Sequence, residues 1–92
     1  MGEGKLVTGF LKNARKDGRI LPSHLALFMA ILHFYQGSKD KWFRITRRKL
    51  MDYSKLRSRS TYHKCLNDLV SGGYIRYEPS YDPILASRIS IC

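Results

Sequence analysis

Apolar residues recur at helical spacing near the start of the chain. Between residues 5 and 16 they occupy one face of a helix, at Leu6, Val7, Phe10, Leu11 and Ala14. Lysines and arginines supply the opposite face, and Gly18 follows as a helix stop. We expect this basic amphipathic helix to pack on the domain core, with a protein partner, a second copy or a membrane as alternatives.

A second helix is predicted from Ser23, a suitable N-cap, to about Gln36, with Gly37 as its stop. The residues that make it apolar almost all round are Leu25, Leu27, Phe28, Met29, Ile31, Leu32 and Tyr35. A helix of this kind is buried, so it should form the centre of the core. His24 and His33 lie nine residues apart in this sequence. They are expected on the polar face or half-buried, and not as metal ligands.

The middle of the chain predicts a short strand followed by two helices. Residues 42–45 are aromatic and β-branched, and Thr46 can cap the helix that follows them. Leu50 and Met51 should face inward, with Tyr53 and Leu56 closing the turn onto the core. Ser58 caps the next helix, whose buried stripe is Tyr62, Cys65, Leu66 and Leu69, and Gly72-Gly73 ends it.

In the last part of the chain, apolar and polar residues alternate as they do in β-strands. Residues 74–78 and 86–91 are predicted to form a hairpin, and Pro79 and Pro83 interrupt the pattern at its long tip, where Tyr81 should be exposed. Strand 42–45 can pair with this hairpin. The prediction is therefore a single α+β domain over residues 1–92. Its N-terminal helix lies within residues 1–19, and its core, residues 23–92, combines helices with a small three-stranded antiparallel sheet.

Charge narrows the possible partners. Among 92 residues, 17 Lys and Arg face seven Asp and Glu, which gives a net charge of +10. Such an excess repels itself and is usually retained for a polyanion, so nucleic acid leads and an anionic membrane surface comes second. Nine basic residues fall between positions 41 and 64, against the single acid Asp52: Lys41, Arg44, Arg47, Arg48, Lys49, Lys55, Arg57, Arg59 and Lys64. This clustering favours nucleic acid over a membrane, because the nearby apolar residues are needed in a core.

Catalytic and metal chemistry find little support in the sequence. The carboxylates are scattered without a paired acid and base, and His63 and Cys65 should point to different faces of one helix. No Gly-rich phosphate loop is present. Cys65 and Cys92 are expected as free thiols, and the start of the chain shows no signal peptide. We therefore expect a cytoplasmic protein without enzymatic activity or a cofactor.

Three segments together resemble a winged helix-turn-helix domain: residues 42–50 (WFRITRRKL), 58–69 (SRSTYHKCLNDL) and 73–77 (GYIRY). The resemblance extends over about residues 23–91 and is to small basic bacterial proteins of mobile elements. It implies a nucleoid-associated protein that binds double-stranded DNA, with the terminal hairpin as the wing. A transcriptional regulator is the first expectation, and an excisionase-like factor that bends DNA for recombination is the second. A recombinase or a transcription protein would then be a further partner.

The site residues follow from the outer face of helix 58–71, because the second helix of such a pair enters the major groove. The residues expected at base edges are Arg59, Ser60, Thr61, His63 and Lys64. The residues expected at the DNA backbone are Arg44, Arg47, Arg48, Lys49, Lys55, Arg57, Ser58, Asn67, Arg76 and Arg88. Asn67 could read adenine, but it is assigned to the backbone because it lies about two turns further along the helix than Arg59.

Two other functions use the same scaffold. The aromatic residues that can stack on single-stranded bases are Trp42, Phe43, Tyr62, Tyr74 and Tyr77, although most occupy predicted core positions. A protein-interaction module is the other alternative. The sequence leaves open the target site, the degree of DNA bending, and whether the protein binds DNA as a monomer, a homodimer or a cooperative array.

Overall fold

The structure, a computed structural model, describes residues 2–36, 41–79 and 86–91. Over these residues the elements are α1 (Gly2–Lys16), α2 (Pro22–Gln36), β1 (Trp42–Ile45), α3 (Arg47–Ser54), α4 (Arg59–Ser71), β2 (Ile75–Glu78) and β3 (Ser87–Ile91). The predicted element order and the α+β class are confirmed, with four helices and a small antiparallel sheet in this part of the chain. The hairpin tip with Tyr81, and Cys92, lie outside the described residues.

The sheet has the strand order β1-β3-β2, with β3 in the centre. Phe43 and Tyr77 both pair with Ile89, and all the pairings are antiparallel. Side chains alternate between the two faces of a strand, so Phe43, Ile89 and Ile75 face the core while arginines occupy the outer face. The prediction that the first strand joins the terminal hairpin is confirmed.

The core forms around α2, which packs against α3, α4 and the sheet. Phe28 of α2 stacks on Phe10 of α1, with ring centroids 3.9 Å apart and planes 7° from parallel. Phe10 and Ala14 are buried, so α1 packs on the domain core as expected, while Leu11 is exposed. Met29 is 51% exposed, so the expectation that α2 is buried all round is wrong at this position.

The start of α2 differs from the prediction. The helix begins at Pro22, which suits a first helical position because its missing N–H would have no partner there. Ser23 therefore lies inside the first turn instead of capping it, and its hydroxyl accepts a hydrogen bond from the Cys65 thiol. His24 is only 1% exposed, so a half-buried or polar-face position is wrong for it. Its ring is buried because both nitrogens have partners, one of them Asp68 on α4.

Two N-caps orient the central helix pair as predicted. Thr46 Oγ1 accepts from the Lys49 amide at 3.2 Å, and Ser58 Oγ accepts from the Thr61 amide at 3.3 Å. Between the helices, Lys55 adopts the left-handed conformation with φ 64°. This conformation turns the chain sharply enough for α4 to start four residues later.

One prediction for this turn is wrong. Tyr53 is 55% exposed, because Leu50 and Ser54, four residues apart, form the inner face of α3. The Tyr53 ring instead stacks on His33 of α2, with centroids 5.4 Å apart. Leu56 does pack against the core, as expected.

Candidate nucleic-acid interface

Helix α4 separates its side chains into a buried stripe and a polar outer face. Tyr62, Cys65, Leu66 and Leu69 are each at most 3% exposed, which confirms the predicted stripe. The exposed residues from its N-cap to Asn67 are Ser58, Arg59, Ser60, Thr61, His63, Lys64 and Asn67. The helix therefore presents hydrogen-bonding and charged groups together along the first turns of its outer face.

An open depression of about 520 Å³ lies between α3, the turn and the start of α4. Its lining residues are Arg47, Arg48, Met51, Asp52, Lys55, Leu56, Arg57 and Arg59. Five of the eight are cationic and one is a carboxylate. The predicted backbone residues of α3 and the turn thus share one concave surface with Arg59, the first residue of α4.

These cations make no ion pair within the described residues, although Asp52 lines the same depression. The ion pairs there join Arg19 to Asp17, His24 to Asp68 and Arg88 to Glu78, and none involves a residue of the depression. Lys49 is exposed beside it on α3. Like charges held this close repel each other, and a bound polyanion would relieve the repulsion.

A smaller groove of about 180 Å³ separates α4 from the sheet. It is lined by Ile45, Arg47, Tyr62, His63, Tyr77, Ser87 and Ile89. Burial raises the pKa of Tyr62 to about 12, helped by the nearby Tyr77 and opposed by Arg47. The Tyr62 hydroxyl therefore stays protonated at neutral pH. Arg47 lines both concavities, so the groove and the depression meet at this residue.

The three arginines predicted on the strands lie apart from the helix pair. Arg44 and Arg88 are directly opposite each other on β1 and β3, on the outer face of the sheet, and Arg76 occupies the same face of β2. Arg88 is engaged within the chain, since it donates to Glu78 at 2.5 Å and its guanidinium lies 5.2 Å from the Trp42 ring centroid. None of the three lines either concavity.

Sequence patterns identified the cations of the candidate site, but they named Tyr62 and Tyr77 only as possible stacking partners of single-stranded bases and not as residues that line this groove. Tyr62 belongs to the buried stripe of α4, so its spacing assigned it to the core and gave no sign of this groove. The available signal was its residue type, because a tyrosine in an apolar stripe brings a hydroxyl that needs a polar or open position at the edge of the core.

Comparisons with protein-family models, curated proteins and solved structures give no match for this chain. No cluster of three or more His, Cys, Asp or Glu residues is placed to hold a metal within residues 2–36, 41–79 and 86–91. Among the helices of the described residues, none has the length and apolar character to cross a membrane.

Proposed function

We propose that this protein is a winged-helix protein that binds double-stranded DNA and regulates transcription by occupying its site. In this proposal α3 and α4 are the helix-turn-helix pair, and α4 enters the major groove. The β2–β3 hairpin is the wing. The helix–helix–strand–helix–helix–strand–strand order and the β1-β3-β2 sheet support this assignment.

The observation that carries the proposal is the excess of positive charge at the start of α4. The depression collects the cations of α3 and the turn beside Arg59, and they make no ion pair among the described residues. A duplex carries one negative charge per about 1.7 Å of its axis, so a surface with several unpaired cations matches it. Arg47, Arg48 and Lys55 contact the backbone, while Arg59 reaches a base edge.

The dimensions of α4 fit this role. Its 13 residues span about 20 Å, and the major groove, about 12 Å wide, admits one helix. Arg59 and Ser60 lie in its first turn, where residues of a recognition helix meet base edges. The amides of this turn also favour a phosphate.

The test is a titration of fluorescent duplexes against salt, after a selection of bound sequences from random duplexes. If about six phosphates are neutralised, affinity should fall by about 10³-fold or more between 50 and 200 mM salt. The selection should return one enriched motif, and a palindrome would also reveal a dimer. A flat salt response would rule out DNA binding through this surface. Enrichment of no motif, with a steep salt response, would leave a sequence-independent duplex binder.

A further inference from the structure

The groove between α4 and the sheet combines groups that suit a single anion. Its polar lining residues are Arg47, Tyr62, His63, Tyr77 and Ser87, and no acidic residue lines it. Its apolar walls are Ile45 and Ile89. A positive charge and a neutral hydrogen-bond donor in a groove with apolar walls favour an anion that can accept a hydrogen bond.

The Tyr62 hydroxyl is available for such a ligand. The residue is 3% exposed, yet its hydroxyl makes no hydrogen bond within the described residues. No polar side-chain atom in this part of the chain is fully enclosed without a partner, so this hydroxyl keeps some access to solvent, and the groove is the concavity that Tyr62 lines. The other tyrosine of the groove differs, because the Tyr77 hydroxyl donates to Ser87 Oγ at 3.1 Å.

Size and position identify the anion. The groove, at about 180 Å³, is smaller than the roughly 300–1,000 Å³ of typical small-molecule sites. It therefore suits one phosphate group better than a whole metabolite. Arg47 belongs both to this groove and to the cationic depression. A phosphate chain that crosses the depression would thus reach the groove directly past Arg47.

We propose that the groove binds one backbone phosphate of the bound duplex, with the Tyr62 hydroxyl as donor and Arg47 as the charge. This inference rests on the DNA-binding function proposed above. It gives Tyr62, a residue of the α4 core stripe, a second role in fixing how the helix lies in the major groove. Because phosphate contacts position a protein on DNA, this contact sets the register of α4 without selecting a sequence.

The first test is Tyr62→Phe, which removes only the hydroxyl. A hydrogen bond to a charged group is lost, so we expect duplex affinity to fall about tenfold, equally for preferred and unrelated sequences. The melting temperature should stay at the wild-type value, since the hydroxyl has no partner within the described residues of the free protein. The matched control is Tyr74→Phe, whose hydroxyl donates to Asp17 away from the groove, and it should bind DNA normally.

The second test locates the phosphate by replacing single phosphates of the duplex with neutral methylphosphonates. At one position the substitution should weaken the wild type but not Tyr62→Phe, because the contact is already lost. Arg47→Gln, at an exposed position, should identify the same phosphate. If the losses from methylphosphonate and from Tyr62→Phe add at every position, the proposed phosphate site is overturned. The same holds if Tyr62→Phe binds with wild-type affinity. Both outcomes leave the DNA-binding function intact. An absence of salt-dependent binding by the wild type would overturn both.

Discussion

His24 Nε2 lies 2.8 Å from Asp68 Oδ2, and this contact joins the start of α2 to the last turn of α4. The other ring nitrogen, Nδ1, accepts a hydrogen bond from the Leu21 amide at 2.9 Å. Because Nδ1 is an acceptor, the ring proton belongs on Nε2, which donates to the carboxylate. One buried side chain thus satisfies a free amide at the start of α2 and fixes the position of the helix that we propose enters DNA.

We expect His24→Ala to lower the free energy of unfolding by about 3 kcal/mol, because it removes a buried ring and leaves the Leu21 amide without an acceptor. Asp68→Asn keeps an oxygen that can accept from Nε2, so it should cost less than about 1 kcal/mol. Urea unfolding of these two variants, and of Asp68→Ala as a reference, measures the losses. A loss for Asp68→Asn as large as that for Asp68→Ala would mean that the negative charge, and not the acceptor, matters.

Phe10 makes the aromatic contacts that hold α1 on the domain core. Phe10 is 5% exposed and contacts both Phe28 and Tyr74 through its ring. Phe10→Ala should cost about 3–5 kcal/mol, whereas Leu11→Ala, at the exposed neighbouring position, should change stability by less than about 0.5 kcal/mol. Thermal melts of the two variants give the comparison. Equal losses would indicate that the other face of α1 is also covered, for example by a second copy.

Lys55 holds a left-handed conformation that disfavours any residue with a Cβ. Lys55→Gly should therefore raise the free energy of unfolding by about 1 kcal/mol, while Lys55→Ala keeps the strain and should not. Both variants remove the same charge from the depression, so both should weaken DNA binding alike. Chemical denaturation and a duplex titration separate these two effects. Equal stability of the two variants would show that the turn carries no such strain.

The fold was largely predictable because its signals are local. Thr46 and Ser58 mark the helix starts, and the spacing of Tyr62, Cys65, Leu66 and Leu69 identifies the inner face of α4. The burial of His24 was not predictable, because its partner Asp68 lies 44 residues away and only the packed α2–α4 pair brings them together.

The charge of the candidate site was predictable from the sequence, but its shape was not. The cations of residues 47–59 form a visible cluster in the sequence, and the structure gathers five of them around one depression. The groove depends on how far the sheet lies from α4, which no local pattern encodes. The contacts of Arg88 were not predictable either, because its partners Glu78 and Trp42 lie on neighbouring strands.

Asp17, in the turn between α1 and α2, should make the stability of the protein depend on pH in the acid range. Hydrogen bonds from Arg19 lower the pKa of Asp17 below its ordinary value of 3.8, so folding favours the ionised carboxylate. This contribution is complete above pH 3.8 and is lost as the pH falls through the lowered pKa. Asp17→Asn should therefore melt below the wild type at pH 7, with a difference that shrinks towards pH 2. A constant difference across this range would show that only the shape of the side chain matters.

Arg59 and Arg48 line the same depression from different helices, and we expect their substitutions to differ in kind. Arg59→Ala should cost about 1–3 kcal/mol on the preferred site and relax the choice at one base pair, because a guanidinium pairs with a guanine edge through two hydrogen bonds. Arg48→Ala should weaken all duplexes alike and reduce the salt slope by about 1, because it removes one phosphate contact.

Both variants lower the net charge of the protein, so the control must do the same elsewhere. Arg15→Ala changes an exposed cation on α1, outside the depression and the groove, and should alter affinity by less than either. Titrations of the three variants against the selected duplex and an unrelated duplex, each at several salt concentrations, give the comparison. If Arg59→Ala weakens both duplexes equally, Arg59 contacts only phosphate. Sequence preference must then come from the other exposed residues of α4, and Lys64 and Ser60 would be the next positions to substitute.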